Sequence, residues 1–337
     1  MTDLSIVILS WNTRELTLAG LDAIAEEVRQ GAPRGARPLV TQTILVDNGS
    51  DDGTVEAVRA RHPWVELVAL PANLGFAVGN NAGLRRAKGR YAVLLNTDTE
   101  VRRGAFDRCV AYLDAHPDVG VVGLQLLHPD GRRQNSIHNF PSLVTEIVPK
   151  ALLEWLLPGR FPSKRRPIPS PIDVEAVLGA CLFARREVLE KVGLLPEDYF
   201  LFLEETDWCW SVHEAGFRVV HIPDAHVVHL FGGSSKRKVP GRTRIEYHRG
   251  LYRFFRKRRG MLQAGLVVAI RVLKALVETL ARVPVALVRG PERAGLVPRW
   301  EVLAWHLRGC PPTGGLATAA YFEHVAATAR RGHGEKA

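Results

Sequence analysis

Short apolar runs alternate with helix-like segments in the first third of the chain, and this alternation constrains the fold more than any other feature. The runs are LSIVILS from Leu4, TILV from Thr43, VELVAL from Val65 and YAVLL from Tyr91. Helix-like segments separate them at about 14–30, 54–61 and 75–87. Buried strands joined by helices are typical of a parallel sheet that is covered on both faces. The alternation therefore predicts an α/β fold.

Polar clusters follow three of the predicted strands at the point where each strand ends. They are Ser10-Trp11-Asn12, the stretch from Asp47 to Gly53, and Asn96-Thr97-Asp98. In open α/β sheets, ligands bind beyond the carboxyl ends of the strands. The acidic stretch after Asp47 suits a base or a sugar hydroxyl better than a phosphate, although it can also be an ordinary helix-capping loop. The clusters predict a ligand site at this edge of the sheet.

Carboxylates suggest what this site could do. Asp98 is a hard oxygen ligand of the kind that Mg²⁺ or Mn²⁺ prefers, or else part of a polar turn that ends a buried strand. Glu204, Glu205 and Asp207 lie among aromatic residues in DYFLFLEETDWCW. Burial there would raise a carboxyl pKa toward that of a general base, whereas an acidic helix N-terminus is the structural alternative.

Two histidines lie on one predicted strand near the end of the catalytic motifs. His226 and His229 are three residues apart, so their side chains point to opposite faces of a strand. At most one of them is expected to reach any given site.

The chain of 337 residues has a formal net charge of +10, which favours an anionic partner such as nucleic acid, a phosphorylated small molecule or an acidic membrane surface. The stretch 236–260 is strongly basic and interleaved with aromatic residues, and it could equally be a solvated face. The four cysteines form no C-x-x-C pair, so neither a zinc site nor a disulfide framework is expected, as suits a reducing cytosol. The N-terminal apolar run is too short for a secretory signal.

The second half of the chain contains less regular segments. Residues 123–139 resemble a hairpin whose turn contains Asp130-Gly131. Residues 140–171 combine an apolar stretch with a basic, proline-rich one and are interpreted as a flap or an insertion. The apolar region 261–288 is interrupted by charged residues, so an amphipathic helix is expected there rather than a membrane-spanning one.

Seven motifs in this order resemble the inverting glycosyltransferases of family two, which have the GT-A fold, and especially their rhamnosyltransferase-like branch. The motifs, between about residues 4 and 260, are SWNTREL, VDNGSDDGT, NLGFAVGNNAG, LLNTDTE, GACLFARRE, FLEETDWCW and HVVH. The resemblance implies a mixed, mostly parallel sheet flanked by helices, with a C-terminal helical extension. It also implies transfer of a sugar from a nucleoside diphosphate, with Mg²⁺ or Mn²⁺ on the diphosphate.

The resemblance implies roles for individual positions. Donor contacts correspond to Ser10, Trp11, Asn12, Asp47, Asn73, Gly75, Asn80, Asn96, Thr97 and Asp98. Trp11 stands where the family often has tyrosine, and Asn96-Thr97-Asp98 stands where it has a D-x-D element, so Asp98 would have to carry the metal contact together with His229. Glu205 matches the catalytic base, with Glu204 and Asp207 as its neighbouring alternatives. Acceptor or phosphate contacts are expected from Trp208, Lys236, Arg237, Arg244 and His248.

The resemblance also predicts the organisation and the partners of the protein. Residues 1–260 would form the catalytic domain, with a nucleotide-sugar half over 1–120, an acceptor half over 121–260 and the flap at about 140–171. Residues 261–337 would form an amphipathic helical extension. The favoured donor is dTDP-rhamnose, with UDP-hexoses as the alternative. The acceptor would be a glycan or a glycan on a lipid diphosphate, and the protein would be cytoplasmic or peripheral on an anionic membrane.

Three other classes of protein explain less of the sequence. A sugar nucleotidyltransferase usually has an N-terminal G-x-G-T-R loop, which SIVILSWNTREL lacks. A non-catalytic nucleotide-sugar-binding protein should have lost the acidic triplet at 204–207, which is complete here. A nucleic-acid-binding protein would explain the basic stretches but not the acidic motifs, so no nucleic acid partner is expected.

Overall fold

A mixed β-sheet forms the centre of the protein in a computed structural model that describes residues 1–30, 37–162, 166–230, 239–288 and 293–334. The strands are β1 (Leu4–Ser10), β2 (Thr41–Asp47), β3 (Glu66–Ala69), β4 (Tyr91–Asn96), β5 (Thr99–Val101), β6 (Val119–Leu127), β7 (Ile137–His138), β8 (Ile172–Asp173), β9 (Ala176–Val177), β10 (Cys181–Arg185) and β11 (Arg218–His229). Strands β7 and β9 pair with each other in a separate small sheet.

Helices cover both faces of this sheet and form most of the chain beyond residue 240. They are α1 (Arg14–Gln30), α2 (Thr54–Arg61), α3 (Phe76–Leu84), α4 (Ala105–Ala115), α5 (Leu143–Ile147), α6 (Lys150–Leu156), α7 (Arg186–Val192), α8 (Glu204–Glu214), α9 (Pro240–Arg258), α10 (Met261–Val288), α11 (Arg293–Leu307) and α12 (Ala319–Gly334). No helix in the described ranges is long and apolar enough to cross a membrane.

The strand order of the main sheet is β3-β2-β1-β4-β10-β6-β11-β5, with β8 on β11. The first four strands in this order are parallel, β10 runs antiparallel to both of its neighbours, and β11 is parallel to β6. The expected mixed, mostly parallel sheet with flanking and C-terminal helices is confirmed. Strands β1, β2 and β4 all end at one edge, where the predicted polar clusters follow them.

Both faces of the sheet are buried, which explains why its strands are continuous apolar runs. In β1, Ile6 and Ile8 belong to the core beneath α1, α2 and α4, whereas Val7 belongs to the core beneath α3, α7 and α8. Alternate side chains of a strand point to opposite faces, so burial of both faces leaves no solvent-exposed position between them. The strand therefore loses the alternation that marks a half-exposed one.

The C-terminal helices pack directly on the segment that carries the acidic run. Tyr199 and Leu203 share a buried cluster with side chains of α9, α10 and α11. A second cluster joins Phe200 to Tyr321 of α12 and to Leu74. The helices beyond residue 260 thus continue the core of the preceding part of the chain.

Two irregular segments differ in detail from their predicted forms. The expected hairpin is limited to one antiparallel bridge between Leu127 and Arg133. The chain then continues into β7, which pairs with β9. The expected flap contains α5 and α6, and α5 packs against α10. Residues 163–165 of the flap lie outside the described residues.

Candidate active site

A cavity of about 930 Å³ opens at the carboxyl ends of β1 and β4 and at the start of α8. The structure brings most of the predicted site residues to its walls. They are Trp11, Asn73, Gly75, Asn96, Thr97, Asp98, Glu204, Glu205, His229 and Arg244. Residues separated by more than 200 positions in sequence therefore meet in one space.

Asp98 and His229 lie side by side in the wall of this cavity. Asp98 lies in the turn between β4 and β5, and its backbone oxygen accepts a hydrogen bond from the Leu230 N–H at 2.8 Å. Strand pairing then sets His229 opposite Thr99. As a result, Nε2 of His229 lies 3.3 Å from Oδ1 of Asp98.

Gln134 determines which nitrogen of His229 carries the proton. Its amide nitrogen donates to the backbone oxygens of His229 at 2.6 Å and of Leu127 at 3.2 Å, which fixes the orientation of the amide group. Its Oε1 therefore faces Nδ1 of His229, at 3.0 Å, as an acceptor. Because Nδ1 must donate, the neutral imidazole presents the lone pair of Nε2 toward Asp98.

A divalent cation fits this pair of side chains. In the neutral form of His229, Nε2 and the Asp98 carboxylate are two acceptors 3.3 Å apart that a cation bound to both would stabilise. A hydrogen-bonded second nitrogen is the usual arrangement for a metal-binding histidine. The described residues contain no cluster of three or more histidine, cysteine or acidic side chains that could hold a metal. A Mg²⁺ or Mn²⁺ ion held by one or two side chains takes its remaining ligands from substrate phosphates and water.

A strained turn places Glu204 and Glu205 at the start of α8. Phe202 and Leu203, which precede the helix, have φ values of 73° and 71°, a left-handed conformation that costs energy in residues with a side chain. Gly250 of α9 lies against this turn: a Cβ there would be 2.8 Å from the backbone oxygen of Phe202. The glycine lets α9 support the turn at close range.

Burial raises the pKa of both glutamates. Glu204 is 3% exposed, and burial together with the nearby charge of Glu205 holds its pKa well above the ordinary value. Burial also raises the pKa of Glu205, although backbone N–H groups, including that of Gly179, offset part of this effect. Oε2 of each glutamate has no hydrogen-bond partner among the described residues. Glu205 is the more exposed of the two and is therefore better placed to exchange a proton with a ligand.

Asn48, which was not predicted as a site residue, holds together the part of the cavity wall that contains Asn73 and Gly75. Asn48 lines the cavity, and its side chain donates to Oδ1 of Asn73 at 3.0 Å and accepts from the Leu74 N–H at 2.9 Å. Gly75, with φ of 88°, brings the chain close enough for the Phe76 N–H to donate to the Phe200 oxygen at 2.7 Å. Asn48 lies within the motif VDNGSDDGT, so the motif predicted the correct segment, but the donor contact was assigned to the neighbouring Asp47 instead of Asn48.

Four predicted donor residues are not in the cavity wall. Ser10 is buried and hydrogen-bonded to Thr17, and Asn12 holds the neighbouring loop by accepting from the Asp51 N–H. Asn80 is buried in α3 and donates to the Phe76 oxygen. Asp47 is 2% exposed and accepts from the Ser50 N–H, while its Oδ1 has no partner among the described residues. These residues shape loops at the site instead of lining it.

Three predicted site residues lie in the protein interior: Asp207, the alternative catalytic base, and the expected acceptor contacts Trp208 and His248. Asp207 is completely buried, and its carboxylate is paired with Lys257 at 2.6 Å and with Arg258. Trp208 packs in the core and donates from its indole to the Gly193 oxygen. His248 is buried against an aromatic ring of α9. Their helices turn these side chains away from the cavity, which corrects the predictions for them.

The part of the cavity near Arg244, which we call its acceptor side, includes residues that belong to none of the seven sequence motifs. Glu146 of α5, Lys150 of α6 and Tyr247 of α9 line it beside Arg244. Lys236 and Arg237, also predicted as phosphate contacts, lie outside the described residues. The C-terminal segment contributes Thr318, whose hydroxyl donates to the Asn73 oxygen at 2.8 Å. No local pattern around Thr318 indicates this contact.

The mixed sheet with a cavity at the carboxyl ends of its parallel strands is the arrangement of the GT-A fold. The sequence pattern of glycosyl transferase family 2 matches residues 5–193, and the chain belongs to this family. It is a glycosyltransferase and resembles the rhamnosyltransferase-like members.

Two named relatives and one solved structure illustrate these similarities. The chain is 29% identical over 239 residues to the N-acetylglucosaminyl-diphospho-decaprenol L-rhamnosyltransferase of Mycobacterium tuberculosis, covering 66% of this chain and 76% of that protein. It is 25% identical over 247 residues to the dTDP-rhamnosyl transferase RfbF of Shigella flexneri, covering 70% and 77%. The mannosyltransferase PcManGT of Pyrobaculum calidifontis, solved with GDP-Man and Mn²⁺, has a similar fold, with a TM-score of 0.52 and 20% sequence identity. The superposition covers 92% of this chain and 89% of that protein.

Proposed function

We propose that this glycosyltransferase moves L-rhamnose from dTDP-rhamnose to a hydroxyl group of a glycan acceptor, with inversion at the sugar. The observation that carries the proposal is that the Asp98–His229 pair and the raised-pKa carboxyl of Glu205 open on one cavity. Such a cavity can hold a diphosphate leaving group and a reacting hydroxyl at the same time. The names of the Mycobacterium tuberculosis and Shigella flexneri relatives support rhamnose as the transferred sugar.

The roles of the residues follow from their chemistry. Asp98 and Nε2 of His229 would hold Mg²⁺ or Mn²⁺, which supplies charge stabilisation for the departing diphosphate. Asn48, Asn73 and the Gly75 loop would contact the nucleotide part of the donor. Glu205 would accept the proton of the acceptor hydroxyl as that oxygen attacks the anomeric carbon from the face opposite the diphosphate.

The acceptor is proposed to be a glycan carried on a lipid diphosphate. Lys150 and Arg244 line the cavity and would contact the phosphates of such an acceptor. The Mycobacterium tuberculosis relative is named for a diphospho-decaprenol, which is a lipid diphosphate, and the net charge of +10 favours contact with an anionic membrane. Under this proposal the enzyme works at the cytoplasmic face of a membrane.

A donor screen tests the proposal. Release of dTDP, UDP or GDP from the matching sugar nucleotides is measured with the purified protein, with and without Mn²⁺, in the presence of a short-chain lipid-diphosphate glycan. Metal-dependent release of dTDP from dTDP-rhamnose is expected. Preferential release of UDP or GDP would refute the donor, and equal rates after complete chelation of metals would refute the role of Asp98 and His229.

A further inference from the structure

Helix α10 exposes more apolar surface than an ordinary surface helix, although it also buries Ala264 and Val267. Three of its charged side chains contact the rest of the protein: Arg271 pairs with the buried Glu146 at 2.5 Å, Lys274 donates to the Glu146 oxygen, and Glu278 lies 3.6 Å from Arg244. Large apolar side chains of the same helix are exposed instead. They are Met261, Leu262, Leu266, Leu273, Leu276, Val277, Leu280 and Val283. A surface helix in water normally exposes mainly charged and polar side chains.

The short helices of the flap extend this exposed apolar surface. Val144 and Ile147 of α5 are 50% and 61% exposed, and Trp155 of α6 is 73% exposed. Helix α5 packs against α10, and its Leu143 contacts the buried cluster that contains Ala264 and Val267. We call the exposed apolar side chains of α5, α6 and α10, together with Leu157, the outer apolar face. Large exposed apolar patches mark interaction sites.

The cavity opens beside the outer apolar face. Thr145 and Glu146 of α5, and Lys150, Leu153 and Glu154 of α6, line the acceptor side of the cavity. The same two helices carry Ile147 and Trp155 on their exposed side. A molecule whose apolar part lies against the outer face could therefore place its polar end in the cavity.

We propose that the outer apolar face lies in the headgroup region of an anionic lipid bilayer and so brings lipid-diphosphate acceptors to the cavity, an inference that rests on the proposed function. The chemistry of the face favours a bilayer over a protein partner. Helix α10 has 28 residues and is therefore about 40 Å long, and leucines are exposed along most of it. Lys150 of α6 and Lys274 of α10 are exposed, Arg160 is exposed just beyond the end of α6, and Trp155 lies in the last turn of α6. Basic residues beside an apolar helix face, together with tryptophan, are typical of helices that lie in a membrane interface.

Vesicle flotation of the full-length protein tests the proposal. Binding is compared on vesicles of phosphatidylglycerol with phosphatidylcholine and on vesicles of phosphatidylcholine alone. The double variant Leu273→Glu/Leu280→Glu changes two side chains that are 61% and 59% exposed, so folding should persist. Its partition coefficient on anionic vesicles should fall more than about tenfold, because two leucines would no longer transfer apolar surface out of water.

A matched control introduces the same charges elsewhere. Val40 and Trp64, 46% and 48% exposed, precede β2 and β3 at the opposite edge of the sheet, and Val40→Glu/Trp64→Glu should leave vesicle binding unchanged. Equal binding by the wild type and both double variants would overturn the proposal. A concentration-dependent dimer in sedimentation velocity that only Leu273→Glu/Leu280→Glu abolishes would also overturn it, in favour of contact with a second copy of the chain.

Fluorescence quenching by brominated phosphatidylcholine mixed with phosphatidylglycerol locates the contact. Trp155→Phe should remove much of the quenching, whereas Trp64→Phe should leave it unchanged. Quenching that is insensitive to Trp155→Phe would exclude α6 from the bilayer and overturn the proposal in this form. The side chain of Trp155 does not line the cavity, so the substitution leaves the proposed chemistry intact.

A comparison of two acceptors separates this inference from the proposed function. Leu273→Glu/Leu280→Glu should keep wild-type turnover with a short-chain, water-soluble acceptor and lose about tenfold or more with a long-chain acceptor in vesicles. Equal turnover by variant and wild type on both acceptors would overturn the membrane role and leave the glycosyl transfer standing. Absence of dTDP release with either acceptor, while flotation behaves as expected, would refute the proposed function alone.

Discussion

Glu205→Gln is expected to separate catalysis from stability. The substitution keeps the shape of the side chain but removes its ability to accept a proton, and loss of a general base typically lowers turnover by roughly 10²- to 10⁴-fold. This corresponds to about 2.7–5.5 kcal/mol of activation free energy. The free energy of unfolding at neutral pH should not fall, because burial opposes the charged form of Glu205 and an amide carries no charge. Single-turnover rates with bound donor and denaturant unfolding measure the two effects.

Asp207→Asn is the matched control, because it makes the same chemical change two residues away. The buried carboxylate is paired with Lys257 and with Arg258, whose side chain is only 12% exposed. Removing one partner from a buried ion pair costs about 3–5 kcal/mol, so the unfolding free energy should fall by that order. Turnover per folded molecule should stay within a few-fold of the wild type, since Asp207 does not line the cavity.

The opposite pattern would refute this reasoning. If Glu205→Gln retained normal turnover with intact donor binding, Glu205 would not be the base. If Asp207→Asn lost turnover by orders of magnitude with unchanged stability, the assignment of Asp207 to the structural network would be wrong.

Three further predictions concern the metal pair, pH and the turn before α8. Gln134→Ala should weaken Mn²⁺ binding in the presence of dTDP by about 10- to 100-fold, measured by calorimetry, because Nδ1 of His229 loses the acceptor that fixes its tautomer. The pKa values of Glu204 and Glu205 are raised in the folded protein, so above about pH 4.5 the folded protein binds more protons than the unfolded chain. The free energy of unfolding should therefore fall as pH rises above that value, and it should fall less steeply in Glu204→Gln. Gly250→Ala should cost about 1–3 kcal/mol of unfolding free energy and lower turnover, because its Cβ would press on the Phe202 oxygen.

Each of these has a control and a contradicting result. Gln30→Ala, on the exposed end of α1, should leave metal affinity unchanged, and equal affinities for both glutamine variants would contradict the role of Gln134. Parallel pH profiles of wild type and Glu204→Gln would show that burial of Glu204 does not affect stability. Gly265→Ala has open space at the added carbon, so it should be neutral or stabilising, and a loss equal to that of Gly250→Ala would exclude the close contact as the cause.

The sequence predicted the parts of the site that depend on local pattern. Asp98 follows a strand whose apolar run ends at Asn96, and the topology of parallel sheets brings such ends together. The cluster at 204–207 predicted an acidic site, and only the family resemblance favoured Glu205 over Asp207. The residue pattern alone could not separate them, because Asp207 is paired with Lys257 and Arg258, about 50 positions further along the chain. The contact of Thr318 with Asn73 spans 245 positions and has no local signature. The pairing of Asp207 and the position of Thr318 both depend on contacts between distant parts of the chain, which no short segment of sequence can reveal.

The contact between Thr318 and Asn73 also sets the order in which this part of the cavity wall can be completed during synthesis. Strands β1, β2 and β4 lie within the first 96 residues and can pair while the ribosome is still translating the helices. The wall at Asn73 gains Thr318 and the neighbouring Leu316 only after more than 300 residues have been made. A nascent chain can thus hold a folded sheet and still lack the part of the cavity wall that Leu316 and Thr318 supply.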